Sequence, residues 1–324
     1  MMKLTDAKSN NIQILRGLAI IAVVFIHNTP VGLPQVYIRP FLNFSVGLFL
    51  FLSGMLSNVN NWNPRKRIIK VVIPYILWSL VYVILYNLKR PTMLPILYLK
   101  DLLTGGAAAI MYYVFVYSEF TLLIPLIDKL AKSKYKYLGF IVSPVEIVIM
   151  RLLPMITGYQ MSKCTSIIMN ISCLGWFSYF YLGYLLGNNM FTIKTSTIKL
   201  ICLWMGAVVL QIFEGYYYLL MGDANCGTQL KLTALLAGTF FVMIAYRFVK
   251  LDKIFNLKFL KLLGDASFGI YFSHLAIMTV VDQIPYYSQY LYYPINGIVI
   301  IVLSMVCVLI GKKILGVYGK YLAL

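Results

Sequence analysis

A chain of 324 residues that is 61% hydrophobic and only 12% charged, with a mean hydropathy of +0.82, lacks the polar residues that a soluble domain of this length needs to cover its surface. Its net charge of +18 falls in short segments between apolar runs, which reads as membrane topology rather than as a nucleic-acid footprint. Strand-type alternation is absent, which argues against a β-barrel; the composition predicts an all-α polytopic membrane bundle.

Apolar runs of roughly 18 residues or more, the length that crosses a bilayer core, recur from end to end. In chain order they predict spans at about 11–29, 41–59, 68–88, 106–127, 137–154, 170–188, 198–220, 229–249, 265–283 and 293–315, about ten in all. Short loops between them hold most of the Pro, Lys and Asn, and residues 1–324 are expected to form one integral membrane domain. The first run, Ile12 to Ile26, follows Lys3 and Lys8 as a signal peptide would. It continues into His27, Asn28, Thr29 and Pro30 rather than a small-residue cleavage site, so a retained helix is expected. The fifth run is the weakest, because it contains Pro144 and Glu146 and ends near Arg151.

The positive-inside rule tests this map. With both termini in the cytoplasm, the inner segments hold 21 Lys and Arg, including Lys3, Lys8, Arg16, Arg65, Lys66, Arg67 and Lys70 and the stretch from Arg247 to Lys261. The outer side keeps 7: Arg39, Lys89, Arg90, Lys100, Arg151, Lys163 and Lys231. If the fifth run did not cross, the cluster from Arg247 to Lys261 would move outside, so the rule favours the full set of spans. Cys164 and Cys226 both fall in predicted outer loops; two unrelated thiols is the expected state, and a pair is the alternative.

Only two histidines exist, His27 and His274, and both fall inside predicted spans. Ionisable groups at membrane depth face a cavity or a partner, and histidine is well suited to proton transfer near neutral pH. For either histidine alone, a hydrogen bond to a neighbouring helix is the plain alternative. Arg16 precedes His27 by 11 residues, which places the two within about 20° of one helix face and about 16 Å apart along the axis. By itself Arg16 would read as a snorkelling anchor; with His27 it predicts a face that lines a polar path.

Here the chain resembles a known family. Leu15-Arg16-Gly17-Leu18-Ala19-Ile20 through Ile26-His27 is similar to the opening helix of the acyltransferase-3 membrane acyltransferases, with Arg, ten residues, then His. Phe44 to Gly54, an aromatic run ending in Ser53-Gly54, resembles the family's second helix. Arg67-Ile68-Ile69-Lys70 with Pro74-Tyr75 resembles the basic entry to the third, and Phe180 to Gly187 resembles the sixth. Ser267 to His274 resembles the late helix that carries a second histidine. Span four departs from the pattern, with Tyr112 and Tyr113 near the place of a family Trp. Glu119 sits mid-span, where it either pairs with a basic residue or serves the site.

The resemblance implies an enzyme: transfer of an acetyl or other small acyl group from cytoplasmic acyl-CoA to a hydroxyl of a cell-surface carbohydrate or lipid-linked sugar. His27 would be general base or transient acyl carrier, Arg16 would hold the donor or orient the active face, and His274 would bind acceptor or assist proton transfer. Arg67 and Lys70 would receive the phosphates of coenzyme A; the same cluster also serves as a positive-inside signal. Acetyl-CoA is expected as donor substrate. No metal is expected, since two histidines without clustered carboxylates make a poor site. The rival readings are a transporter, for which buried ionisable groups serve equally well, and a non-catalytic partner in glycan assembly. Usage rich in Ile, Asn, Lys and Tyr points to a low-GC bacterium, and a multi-pass place in its plasma membrane is expected.

Overall fold

The computed structural model describes residues 5–158, 162–224, 226–251, 253–285, 287 and 292–324. Helices account for every regular element among them. In chain order these are α1 (Asp6–Asn28), α2 (Leu33–Ile38), α3 (Ser45–Met55), α4 (Pro64–Tyr86) and α5 (Leu94–Thr104). Then come α6 (Tyr112–Lys132), α7 (Val142–Ile147), α8 (Leu153–Thr157), α9 (Lys163–Ile171) and α10 (Phe177–Gly187). The series ends with α11 (Thr197–Leu220), α12 (Leu232–Lys250), α13 (Lys258–Asp265), α14 (Ser267–Val281) and α15 (Ile295–Leu315).

Local chemistry sets where several of them start. Thr5 caps α1 by accepting from the Lys8 N–H, with Asp6 in the first turn. Asn63 caps α4 in the same way from Lys66, with Pro64 leading the helix, and Ser196 caps α11 from Lys199. Such caps satisfy N–H groups that a helix start leaves open. Pro34 near the head of α2 helps begin the second apolar segment earlier than hydropathy placed it. The segment now runs Leu33–Met55.

Among the described residues, six helical segments are long and apolar enough to cross a bilayer, and they match the first, second, third, seventh, eighth and tenth predicted spans. The other four expected spans are less regular. The fourth becomes α6, which begins only at Tyr112 because Gly105 ends α5 in the left-handed conformation and a short non-helical stretch follows. The fifth is broken: a 3-10 turn at Lys136–Phe140, then α7, a π-helical turn at Val148–Leu152, and α8. The sixth, α10, has 11 residues and the ninth, α14, has 15. These rise about 16 and 22 Å, less than a hydrocarbon core of about 30 Å.

The chain forms two compact units that interleave along the sequence. The first holds residues up to Trp62, Leu123–Met161 and Leu174–Asp265. Within it, α1 lies on α13 with the backbones almost touching: a Cβ on Gly17 would land on the Leu260 carbonyl, and one on Gly264 would land on the Gln13 carbonyl. The α3–α10 contact repeats the device, with Gly54 against Phe180, Gly183 against Phe51 and Gly187 against Met55. Small residues let membrane helices approach this closely. Asn11 closes the inner end by donating to the Phe248 and Leu251 carbonyls, each at 3.2 Å, and Asn10 donates to Phe255 O at 3.2 Å. These amides add donors to carbonyls at the end of α12 and in the loop that follows it.

The second unit holds Asn63–Leu122, Ser162–Cys173 and Ala266–Leu324. Side-chain donors tie its helices to foreign backbone. Tyr75 donates to Leu102 O at 2.7 Å, and Trp78 Nε1 donates to Leu322 O at 3.0 Å. Tyr82 donates to Phe272 O at 2.7 Å, and Tyr271 donates to Ile110 O. Helix α6 is shared, its first half in this unit and its second half in the other.

Candidate active site

Helix α1 is unbroken through both Arg16 and His27. The 11-residue spacing therefore keeps them on one face, and both side chains are half-buried. Arg16 reaches Gln13 Oε1 at 3.5 Å. Its neighbour Gly17 carries the close approach of α13, so the Arg-Gly pair couples a cation to a packing point. His27 sits in the last turn of α1, where Thr29 Oγ donates to Phe25 O at 2.8 Å and Asn28 Nδ2 to Val24 O at 2.8 Å.

Arg39 is a neighbour that sequence reasoning left in an outer loop. Its Nη2 donates to Ile26 O at 3.0 Å, one residue from His27. A guanidinium there adds a second donor to a helix-end carbonyl that also takes the Thr29 N–H, and it meets the negative end of the helix dipole. The available signal was topological: Arg39 is a cation on the side that the positive-inside pattern keeps poor in charge. Lys231, expected at the outer end of the eighth span, is fully buried, with Nζ on Cys226 O at 2.8 Å and over the Tyr218 ring at 5.9 Å. Gly215 leaves the space for its head group.

His274, on α14, is fully buried in the second unit. Its Nδ1 faces two carbonyl oxygens of its own helix, Ile270 O at 3.0 Å and Tyr271 O at 2.8 Å. Both can only accept, so Nδ1 carries the proton and, in the neutral ring, Nε2 holds the lone pair. The Tyr271 ring lies 6.3 Å from the imidazole and 5.4 Å from Tyr113 on α6. Glu119, further along α6, is half-buried, and its Oε2 accepts from the Cys173 N–H at 2.7 Å. That carboxylate ties α6 to the segment after α9.

Arg67 and Lys70 stand in the first two turns of α4, Arg67 half-buried and Lys70 exposed. A helix N-terminus with added cations favours anionic groups such as phosphate. At the other end of the same helix, Tyr86, Asn87, Lys89 and Arg90 line a cleft of ≈ 690 Å³ together with Thr279 and Gln283. Thr279 belongs to α14, five residues beyond His274, and Gln283 lies just past that helix.

Arg16 and His27 thus share one helix of the first unit, and His274, Glu119, Arg67 and Lys70 belong to the second. Cys226 is buried, with its thiol 3.6 Å from Gln35 Oε1, while Cys164 is exposed. Among the described residues, no three His, Cys, Asp or Glu side chains gather as a metal set.

No match was found among curated proteins or solved structures. A family model described as an acyltransferase domain matches residues 9–314. That span takes in nearly the whole chain, with both histidines and Arg16, so this multi-pass helical protein belongs to the acyltransferase-3 family of membrane acyltransferases.

Proposed function

We propose that the protein is a membrane O-acetyltransferase of a bacterial plasma membrane. It takes the acetyl group from cytoplasmic acetyl-CoA and gives it to a hydroxyl of a cell-surface polysaccharide or lipid-linked sugar. The observation that supports this most is the layout of α4. Its basic start, Arg67 and Lys70, lies on the side that the charge pattern assigns to the cytoplasm. Twelve residues beyond Lys70, about 18 Å along the axis, Tyr82 touches the turn of α14 that carries His274. Phosphates held at the helix start would leave the thioester arm of the donor free to extend toward that turn. The cleft at the far ends of α4 and α14 suits a sugar, with a tyrosine ring and amide and guanidinium donors.

In the transfer, His27 takes the proton of the acceptor hydroxyl as its oxygen attacks the thioester carbonyl. The C–S bond breaks, and the CoA thiolate leaves and is protonated. In the alternative route the His27 nitrogen attacks first, forms an acyl-imidazole and releases CoA, and the hydroxyl then takes the acyl group from it. Arg16 orients the donor face, and the Nε2 lone pair of His274 assists proton transfer or orients the acceptor. Glu119 would bind acceptor through its second oxygen.

The test is label transfer by the purified chain in lipid nanodiscs, from radiolabelled acetyl-CoA into a membrane lipid and glycan extract of the host cell. We expect His27→Ala to insert normally and to lose about 10²- to 10⁴-fold in rate. Full activity in that variant would remove His27 from the mechanism. The double replacement Arg67→Ala, Lys70→Ala should raise KM for acetyl-CoA about tenfold or more with kcat little changed, as loss of charge-assisted phosphate contacts predicts. An unchanged KM would move the donor phosphates elsewhere.

A further inference from the structure

Tyr82 is fully buried on α4, and its hydroxyl makes two bonds to the backbone of α14. It donates to Phe272 O at 2.7 Å and accepts from the Ala276 N–H at 3.1 Å. In an α-helix these two groups are partners, because the N–H of residue i bonds the carbonyl of i−4. The tyrosine hydroxyl therefore shares one step of the α14 ladder, and that step spans residues 272 to 276 with His274 at its centre. A side chain entering the ladder is one of the recognised ways a helix is bent locally. On the other side of the histidine, Tyr271 fixes the same helix to the Ile110 carbonyl through its own hydroxyl. The imidazole is then turned by the Nδ1 contacts to Ile270 O and Tyr271 O. Hydroxyl pins next to and across the histidine, with a fixed tautomer, decide where Nε2 stands.

We propose that Tyr82 is a positioning residue for His274: its hydroxyl holds the 272–276 turn of α14 against α4 and so sets the place of the His274 Nε2 lone pair for acyl transfer. The inference rests on the functional reading above only in giving His274 a part in the reaction. The geometry of the pin is independent of it. Tyr82→Phe removes one oxygen and keeps the ring, which packs near Trp78 and Tyr86 at 6.1 and 5.6 Å. Without the hydroxyl, Phe272 O and Ala276 N–H can pair with each other as in any helix, so this variant is expected to fold.

The experiment uses the full chain in nanodiscs, labelled with ¹⁵N-histidine. Because the sequence holds only two histidines, two sets of ring resonances report on the two units. In Tyr82→Phe the His274 ring signals should shift or split while those of His27 stay in place. With acetyl-CoA and the host membrane extract, kcat should fall about 10- to 100-fold with KM for acetyl-CoA within about twofold, the signature of a misplaced catalytic group. Unchanged His274 signals would overturn the proposal, as would equal movement of both histidines, which marks a general loosening. If His274→Gln is inactive and Tyr82→Phe keeps the wild-type kcat, the Tyr82 role fails and the functional reading stands. If His274→Gln keeps the wild-type rate, the reaction role of His274 fails, while a selective shift of its signals still supports the hold of Tyr82 on the turn.

Discussion

Both units send side-chain donors to the backbone of other segments, but among the described residues only the first also presses helix backbones together at glycines. In the first, α1 meets α13 and α3 meets α10 at glycines, where a single added carbon would collide with a carbonyl oxygen of the facing helix. In the second, Tyr75, Trp78, Tyr82 and Tyr271 each send one donor to backbone of another segment. Contact of the first kind is steric, and its tolerance is set by backbone that has nowhere to go. Contact of the second kind is polar and modest in energy, since interhelical hydrogen bonds in membranes average about 0.6 kcal/mol. The first unit should therefore fail abruptly when crowded. The second should lose precision before it loses its fold.

The largest effect that follows is at Gly264. Gly264→Ala sets a methyl against the Gln13 carbonyl, and overpacking that only backbone movement can relieve should cost about 3 kcal/mol or more. Thermal unfolding in detergent checks it, and a wild-type midpoint would break the steric half of the comparison. Next comes Glu119→Ala, which strips the acceptor from the Cys173 N–H. A part-buried donor left open should cost about 1–2 kcal/mol, read by the same assay, and Glu119→Gln should recover most of it through its carbonyl oxygen. Smallest is Tyr75→Phe, which loses only the hydroxyl and its bond to Leu102 O and should cost about 0.5–1 kcal/mol. A loss as large as that at Gly264 would mean that the polar pins carry the second unit's fold after all.

Hydropathy made the long helices legible. Runs such as Ile12 to Ile26 and Ile295 to Leu315 declare themselves because a lipid-facing helix must be apolar over its full length. The broken stretch from Lys136 to Thr157 was visible only as a weakness, through Pro144 and Glu146. Composition cannot tell a span from a run of short helical turns. The Arg16–His27 face was readable because a helix converts spacing into direction. Arg39 and Lys231 were not, since their partners are carbonyls that any sequence supplies. Tyr82 was hidden for a related reason: it is one of 26 tyrosines, and a hydroxyl bonded to a distant main chain leaves no periodic trace. The motif glycines Gly17, Gly54, Gly183 and Gly187 stood in the sequence plainly, but which backbone each one admits is a tertiary fact.

The seam between α1 and α13 has a consequence in time. Asn10 and Phe255 are 245 positions apart. At the ordinary pace of synthesis, roughly 5–20 residues per second, about 12–50 s separate their emergence from the ribosome. Throughout that interval the opening helix is already available for insertion, with its buried asparagines and the bare backbone at Gly17 still lacking the helix that covers them. The half of the protein that begins first is thus among the last to close, and its newborn first helix must be tolerated by the insertion machinery as an unfinished surface.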